Sequence, residues 1–337
     1  MKPETEQTLA TLEVILQKGL WFMPPYHEDG GYFRPYIWDS EKQGVFSPLS
    51  LIKSEGWIQE TDLEEAIKSW HWSEQTGLAA KGILKDGEPS CIEDNEDEAG
   101  ILIDENTKLA RAKIYQNLFE LLSNKINNLQ AFVLSCDSYY SLSVLIGQIS
   151  EKKWIAICPT VPLETPFYFN DEIVCEAHSI KNNIPQLINS SNLEIEIKIQ
   201  KYINELLSIE IYGWYDGGYN NTHEYKIVSA TGESKEIALE NLLLKSKLLG
   251  IYRFNNFELS ELLECCHDDE AQEIEMKSNQ LNKFFKQTFS ETLLYRFCFW
   301  DYEHLYILGE TGNRDDALRP LRDRVGISLH SQFTYNP

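Results

Sequence analysis

Asp29-Gly30-Gly31-Tyr32 recurs as Asp216-Gly217-Gly218-Tyr219, each time just after an aromatic-rich apolar run. Further along, Leu145-Ile146-Gly147 recurs as Ile307-Leu308-Gly309, each preceded by a Tyr-rich pattern of strand formers. Ile155-Ala156-Ile157 follows the first of these glycines and Val325-Gly326-Ile327 the second. A single Asp-Gly pair is a common turn dipeptide and carries little weight. Two markers in one order, each followed by a matching strand, read as two copies of one domain in tandem.

The copies differ in length. The interval from Asp29 to Gly147 exceeds that from Asp216 to Gly309, and the surplus has a home near residues 86–105. There Glu88, Glu93, Asp94, Glu96, Asp97, Glu98 and Asp104 crowd with no basic residue among them. Like charge at that density resists burial, so a solvated acidic insertion is expected. The expected division is residues 1–165 for the first domain, a Pro- and Asn-rich linker at 166–192, and 193–337 for the second.

Composition sets the class of protein. The chain has 337 residues, 42% of them hydrophobic, enough for two cores of ordinary domain size. No apolar run is long enough to span a bilayer, and Met1-Lys2-Pro3-Glu4 lacks the basic and apolar regions of a signal peptide. A cytoplasmic protein with no membrane partner is the expectation. The seven cysteines include no C-x-x-C pair and argue against a disulfide framework. Cys136, Cys158 and Cys298 sit in strand-like apolar patterns and read as buried small hydrophobes.

The formal net charge of −23 repels a phosphate backbone, so direct nucleic-acid binding is not expected. Arg314, Arg319, Arg322 and Arg324 are interleaved with Asp315, Asp316 and Asp323, which reads as a self-neutralising loop. Strong negative charge instead speeds encounter with a basic protein. Solubility alone would also account for it.

Periodicity places the elements. Leu9, Leu12, Ile15 and Leu16 give a helix over 5–18, stopped by Gly19. Residues 32–38 alternate as a strand around Pro35, which confines them to an edge or a bulge. Thr61-Asp62-Leu63-Glu64 reads as a capping box that opens a helix toward Trp72. A stripe of Ile114, Leu118, Leu121, Leu122 and Ile126 predicts a helix over 107–128, followed by strands at 131–136, 140–146 and 154–158. In the second half, helices are expected at 195–207, 234–249 and 268–289. Strands are expected at 207–214, 225–230, 293–299, 304–308 and 324–329. Helices and hairpin-linked strands mix in each copy, so each is a sheet covered by helices.

The closing strands of the second copy resemble the nuclease A inhibitor family. Leu294-Tyr295-Arg296, Leu305-Tyr306-Ile307-Leu308-Gly309-Glu310-Thr311 and Val325-Gly326-Ile327-Ser328 are similar to that family's last three strands. The helix at 268–289 is similar to the one before them, and Gly19-Leu20-Trp21-Phe22-Met23 to the family's opening strand. The resemblance implies an α/β fold of two tandem α-β-α sandwich domains, with mixed or antiparallel sheets covered by helices. It also implies a bacterial protein that blocks a metal-dependent, sugar-non-specific nuclease, placing an acidic side chain and a terminal Thr near the nuclease's metal. The acidic position falls on Pro25 here, with Glu28 and Asp29 as the neighbouring acids. The terminal Thr matches Thr334, followed by Tyr335-Asn336-Pro337. The same count in the first copy lands near Glu164 and Thr165. Glu310, in the strand ending Gly-Glu-Thr, joins this partner-binding set.

Other chemistry is sparse. Gly30-Gly31 and Gly217-Gly218 lack the spacing and the Lys of a phosphate-cradling loop. Neither His27-Glu28-Asp29 nor Cys265-Cys266-His267-Asp268-Asp269 has the spacing of a structural zinc site. No G-x-S-x-G elbow occurs. The reading is therefore a non-enzymatic protein with no metal and no cofactor. Trp70-His71-Trp72 is the leading contact candidate, because residues close on a helix diverge and both Trp cannot enter one core face. Trp214, beside the second Asp-Gly-Gly-Tyr, is another. A binding scaffold that keeps the fold and uses these aromatics is the rival reading.

Overall fold

The computed structural model describes residues 2–17, 19–22, 30–75, 105–136, 141–161, 172–173, 190–215, 219–258, 262, 271–299, 302–311 and 322–332. The first half runs α1 (Pro3–Ile15), β1 (Leu20–Phe22), β2 (Gly31–Trp38), α2 (Ser40–Gln43), α3 (Pro48–Ser54), β3 (Ile58–Thr61), α4 (Leu63–Gln75), α5 (Glu105–Lys125), β4 (Asn127–Leu134), β5 (Leu142–Ser150) and β6 (Lys153–Pro159). The second half follows with β7 (Glu172–Ile173), α6 (Ser190–Glu205), β8 (Ile209–Tyr215), β9 (Tyr219–Tyr225), β10 (Ile227–Gly232), α7 (Lys235–Lys245), β11 (Leu249–Arg253), α8 (Ala271–Thr288), β12 (Thr292–Cys298), β13 (Tyr302–Glu310) and β14 (Arg324–Gln332). The expected acidic insertion at 86–105 lies outside the described residues save for Glu105, the first residue of α5.

The helices form where apolar stripes and caps permit. Asp62 accepts from the backbone N–H of Glu64 at 2.8 Å and so caps α4, a role the sequence pattern assigns to Thr61. Ser234 caps α7 through the N–H of Ile237. The inward stripes are the expected ones: Leu12 and Leu16, then Leu118, Leu122 and Ile126, then Leu239, Leu242 and Leu243, then Ile274, Leu281 and Phe285 are all buried. Cys136, Cys158 and Cys298 are buried and form no disulfide with one another.

The chain is a mixed α/β protein with two antiparallel sheets, but their strands are not collected in chain order. One compact unit takes Met1–Ser54, Thr165–Cys175 and Leu249–Thr334; the other takes Glu55–Glu164, Glu176–Leu248 and Tyr335–Pro337. In the first unit the sheet order is β1-β2-β14-β13-β12-β11-β7, and in the second it is β10-β6-β5-β4-β3. Ladder pairing shows why. β14 takes β2 as its outer neighbour, with Ile327 opposite Pro35, and β6 takes β10, with Ile157 opposite Ser229. α1, β1 and β2 of the first half therefore complete the sheet of β12, β13 and β14, while α6 and β10 of the second half complete the sheet of β4, β5 and β6. The sequential boundaries at 165 and 193 expected from the repeat do not follow this packing.

The second pair of recurring words, Leu145-Ile146-Gly147 and Ile307-Leu308-Gly309, occupies matching places. Gly147 pairs with Ile155, and Gly309 with Val325, at one point of the two ladders. A Cβ on Gly147 would sit 2.2 Å from Ile126, and one on Gly309 would sit 2.1 Å from the Phe289 ring. Ile126 and Phe289 each directly follow the helix that packs on their sheet, so both glycines admit a helix end against a strand.

In the first unit, α1 and α8 cover one sheet face, with Leu12, Leu16, Phe285 and Leu281 against Leu305, Ile307, Ile327 and Leu329. The opposite face is aromatic: Tyr36 meets Tyr306, and Phe46 meets both Trp38 and Tyr295, edge to face. In the second unit, α4, α5 and α6 supply Ile67, Trp70, Leu118 and Ile199 to one face. α7 lies on the other, where a Cβ on Gly232 would meet Ala238 N at 2.4 Å.

Candidate functional site

The structure describes only some of the residues that sequence reading groups together. Glu28, Asp29, Glu164, Thr165 and Thr334 lie outside the described residues, as does Pro25. Trp72 belongs to α4 and Trp214 to β8. Trp70 is a core residue, 1% exposed, and its expected contact role is corrected here. Its indole N–H donates to Ser143 O at 2.8 Å, and its ring lies against Tyr115. Ala66 and Ile67 precede it on the same inward side of α4, which fixes the direction in which it points.

Glu310 is not an unpaired acid. Arg322 Nη1 reaches it at 2.8 Å and Arg324 Nη2 at 2.6 Å, so its charge is met within the protein. Of the loop read as self-neutralising, only Arg322, Asp323 and Arg324 lie among the described residues. Asp323 turns inward and is fully buried, where it accepts from Ser40 N and Oγ and from Thr5 Oγ1. Burial opposes its ionisation, but these donors outweigh burial and hold the carboxyl below its ordinary value.

Two buried polar clusters stand in the first unit. Arg296, 2% exposed, grips Glu303, 0% exposed, through Nε and Nη2. On the aromatic face His304 Nδ1 meets His330 Nδ1 at 2.8 Å, with Tyr306 Oη 3.5 Å from the far nitrogen of His330. Burial, then the neighbouring His330, pushes His304 down to about 3, against a smaller opposing pull from Glu303. Burial also lowers His330, and a neutral pair bonds when one Nδ1 carries its hydrogen and the other accepts it. Among the described residues no three His, Cys, Asp or Glu side chains converge as a metal site.

The exposed surface offers two further features. On α1, Glu4, Glu6 and Glu13 are exposed with Val14, and the helix contains no basic residue. The first turns of α8 add Glu273, Glu275 and exposed Met276. Lys277 binds the Gly19 carbonyl and Glu273, which ties this end of α8 to the end of α1. Together they form an acidic helical layer carrying two exposed apolar side chains.

The second feature is a cleft of about 260 Å³ in the other unit, between α6 and β10. Gln200, Ile203, Asn204, Leu207 and Ser208 line one wall; Lys226 to Ser229 and Lys245 line the other. β10 ends its sheet, and Lys245 Nζ donates to its outward carbonyl at Ser229 (2.8 Å), while Asn241 does the same at Thr231 (2.9 Å). These side chains cap an edge that would otherwise invite another strand. Neither the cleft nor its lysines stand out in sequence, because Lys245 reads as an ordinary cation at a helix C-terminus.

Comparison of the chain with protein-family models, with curated proteins and with solved structures finds no match. No described helix is long and apolar enough to cross a membrane.

Proposed function

We propose that the protein acts by binding a basic protein in the cytoplasm, and that this partner is a metal-dependent, sugar-non-specific nuclease. The acidic helical layer of α1 and the start of α8 carries the reading. Glu4, Glu6, Glu13 and Glu275 are exposed, α1 holds no lysine or arginine, and Val14 and Met276 supply apolar contact at 73% and 53% exposure, while Glu273 is met by Lys277. Such a layer complements a basic substrate groove, and a net charge of −23 favours fast encounter. The strands that resemble the nuclease A inhibitor family form the sheet on which these helices lie, in keeping with tandem inhibitor-like α-β-α domains whose strands are interleaved. The contact would be made by the helices rather than by Glu310, whose charge Arg322 and Arg324 already meet. Burial of Trp70 removes one support of the rival scaffold reading.

The test is a titration of such a nuclease with the full chain, following DNA cleavage. Stoichiometric loss of cleavage, weakened by salt and by the triple reversal Glu4→Lys, Glu6→Lys, Glu13→Lys, is the expected result. Unchanged cleavage at large excess across several such nucleases would end the proposal.

A further inference from the structure

We infer that the cleft between α6 and β10 binds a small organic anion: a carboxylate or phosphate ester carrying a short apolar chain. The lining is the reverse of the protein's average. Acidic residues outnumber basic ones 53 to 30 in the chain, yet the described lining has Lys226 and Lys245 and no acid. A neutral water-filled groove would not need that inversion.

Lys245 is half buried and anchored, its ammonium held by Ser229 O, so its position is set before any ligand arrives. Burial first, and then the like charge of Lys226, makes Lys245 easier to deprotonate than an ordinary lysine. An anion bound beside both lysines would offset both penalties. Gln200, Asn204 and Ser208 add polar groups for the remaining oxygen atoms.

The rest of the cleft suits an apolar chain. Ile203, Ile227 and Val228 line it, and Leu207 is 72% exposed at its mouth. Leu207 also holds φ at 47°, the left-handed region that disfavours a leucine, and Arg111 binds its carbonyl at 3.3 Å. An exposed leucine in strained backbone at the mouth of a cationic cleft fits a contact for the ligand's tail. The volume of about 260 Å³ equals roughly nine water molecules at ~30 Å³ each, which sets the ligand at roughly ten heavy atoms.

Competitive lysine acetylation of the full chain tests this, read at each lysine by peptide mass spectrometry with hexyl phosphate, hexanoate or inorganic phosphate at matched ionic strength. Hexyl phosphate and hexanoate are expected to slow acetylation of Lys245 and Lys226 about fivefold or more, leaving exposed Lys68 and Lys198 unchanged. Lys226→Gln is expected to raise the hexyl phosphate concentration needed to protect Lys245 by about tenfold. Three results would overturn the proposal: no protection by either amphiphile, equal protection at Lys68, or inorganic phosphate as effective as hexyl phosphate. The unsubstituted chain alone decides among them, whatever the fate of the variant.

Discussion

Deleting residues 1–54 separates the interleaved fold from a sequential one. In the structure this segment gives α1, β1 and β2 to the sheet of β12, β13 and β14, and no strand to the sheet of β4, β5 and β6. It also carries Leu12, Leu16, Leu20, Phe22, Phe33 and Trp38, each buried to 6% exposure or less. At roughly 1.5–3 kcal/mol for each large apolar side chain removed from a core, their loss amounts to ~10 kcal/mol or more. That equals the whole stability of a typical domain, about 5–15 kcal/mol. The unit built from residues 249–334 should therefore unfold, while residues 127–159 keep their ladder. Amide hydrogen exchange on the truncated chain reads both at once. Loss of protection across β12–β14 with protection retained across β4–β6 is the expected outcome. The opposite pattern, with 127–159 exchanging freely and 292–332 protected, would show that the first segment belongs with its sequence neighbours and would refute the interleaving.

Gly326→Ala should destabilise the same unit by several kcal/mol, since its Cβ would fall 1.8 Å from the Ile307 carbonyl oxygen, a backbone atom that cannot rotate away. Urea unfolding followed at the first unit's aromatics measures it, and a cost under about 1 kcal/mol would contradict that geometry. Arg296→Met should cost ~3–5 kcal/mol by stranding Glu303, whereas Arg296→Met with Glu303→Leu should recover most of it; equal costs would mean that the pair is not the buried unit described. His304 contributes stability that is complete above its unfolded value of 6.5 and lost as pH falls toward about 3. Between pH 6.5 and 5 the first unit should lose at most about 1.4 kcal/mol per pH unit for each such histidine, and His304→Phe should flatten that slope in thermal melts. Leu207→Gly should stabilise the second unit by about 0.5–1 kcal/mol by relieving left-handed strain at an exposed site, and should weaken hexyl phosphate protection of Lys245; a loss of stability would remove the strain argument.

The helices and most strands were legible because each depends on local periodicity. The stripes through Leu118, Leu122 and Ile126, and through Ile274, Leu281 and Phe285, face the core as their spacing requires. The partner of a closing strand was not legible, since β2 and β10 could satisfy either sheet with the same inward residues. The chain passes between the units five times, and at two of these crossings, Ser54–Glu55 and Leu248–Leu249, no proline run or charge change marks the place. Trp70 shows the same limit on a smaller scale. Helical geometry states that Trp70 and Trp72 diverge, but only the core states that Trp70 is the one buried. The cleft is not legible because its lysines, one between β9 and β10 and one at the end of α7, meet only in the fold, and Glu310 reads as unpaired because its arginine partners follow it at 322 and 324.

The two units solve one problem differently, and that difference locates the cleft. Each opening helix ends in a residue of left-handed backbone whose carbonyl takes a cation from a neighbouring helix: Lys277 to Gly19 in one unit, Arg111 to Leu207 in the other. After Gly19, β1 returns alongside β2 and pairs from Leu20 to Phe22, so the edge of that strand is filled until Pro35, which has no N–H to offer. After Leu207, β8 pairs instead with β9, and β10 is left without an outer strand among the described residues. Lys245 and Asn241 must then cap its carbonyls, and the groove between α6 and β10 stays open with two ammonium groups beside it. Leu207 at the left-handed position, Lys226 beside the capping Lys245, and no acid in the described lining of so acidic a chain set this groove apart from the filled edge at Gly19. They are therefore the residues through which the second unit would differ from the first in what it binds.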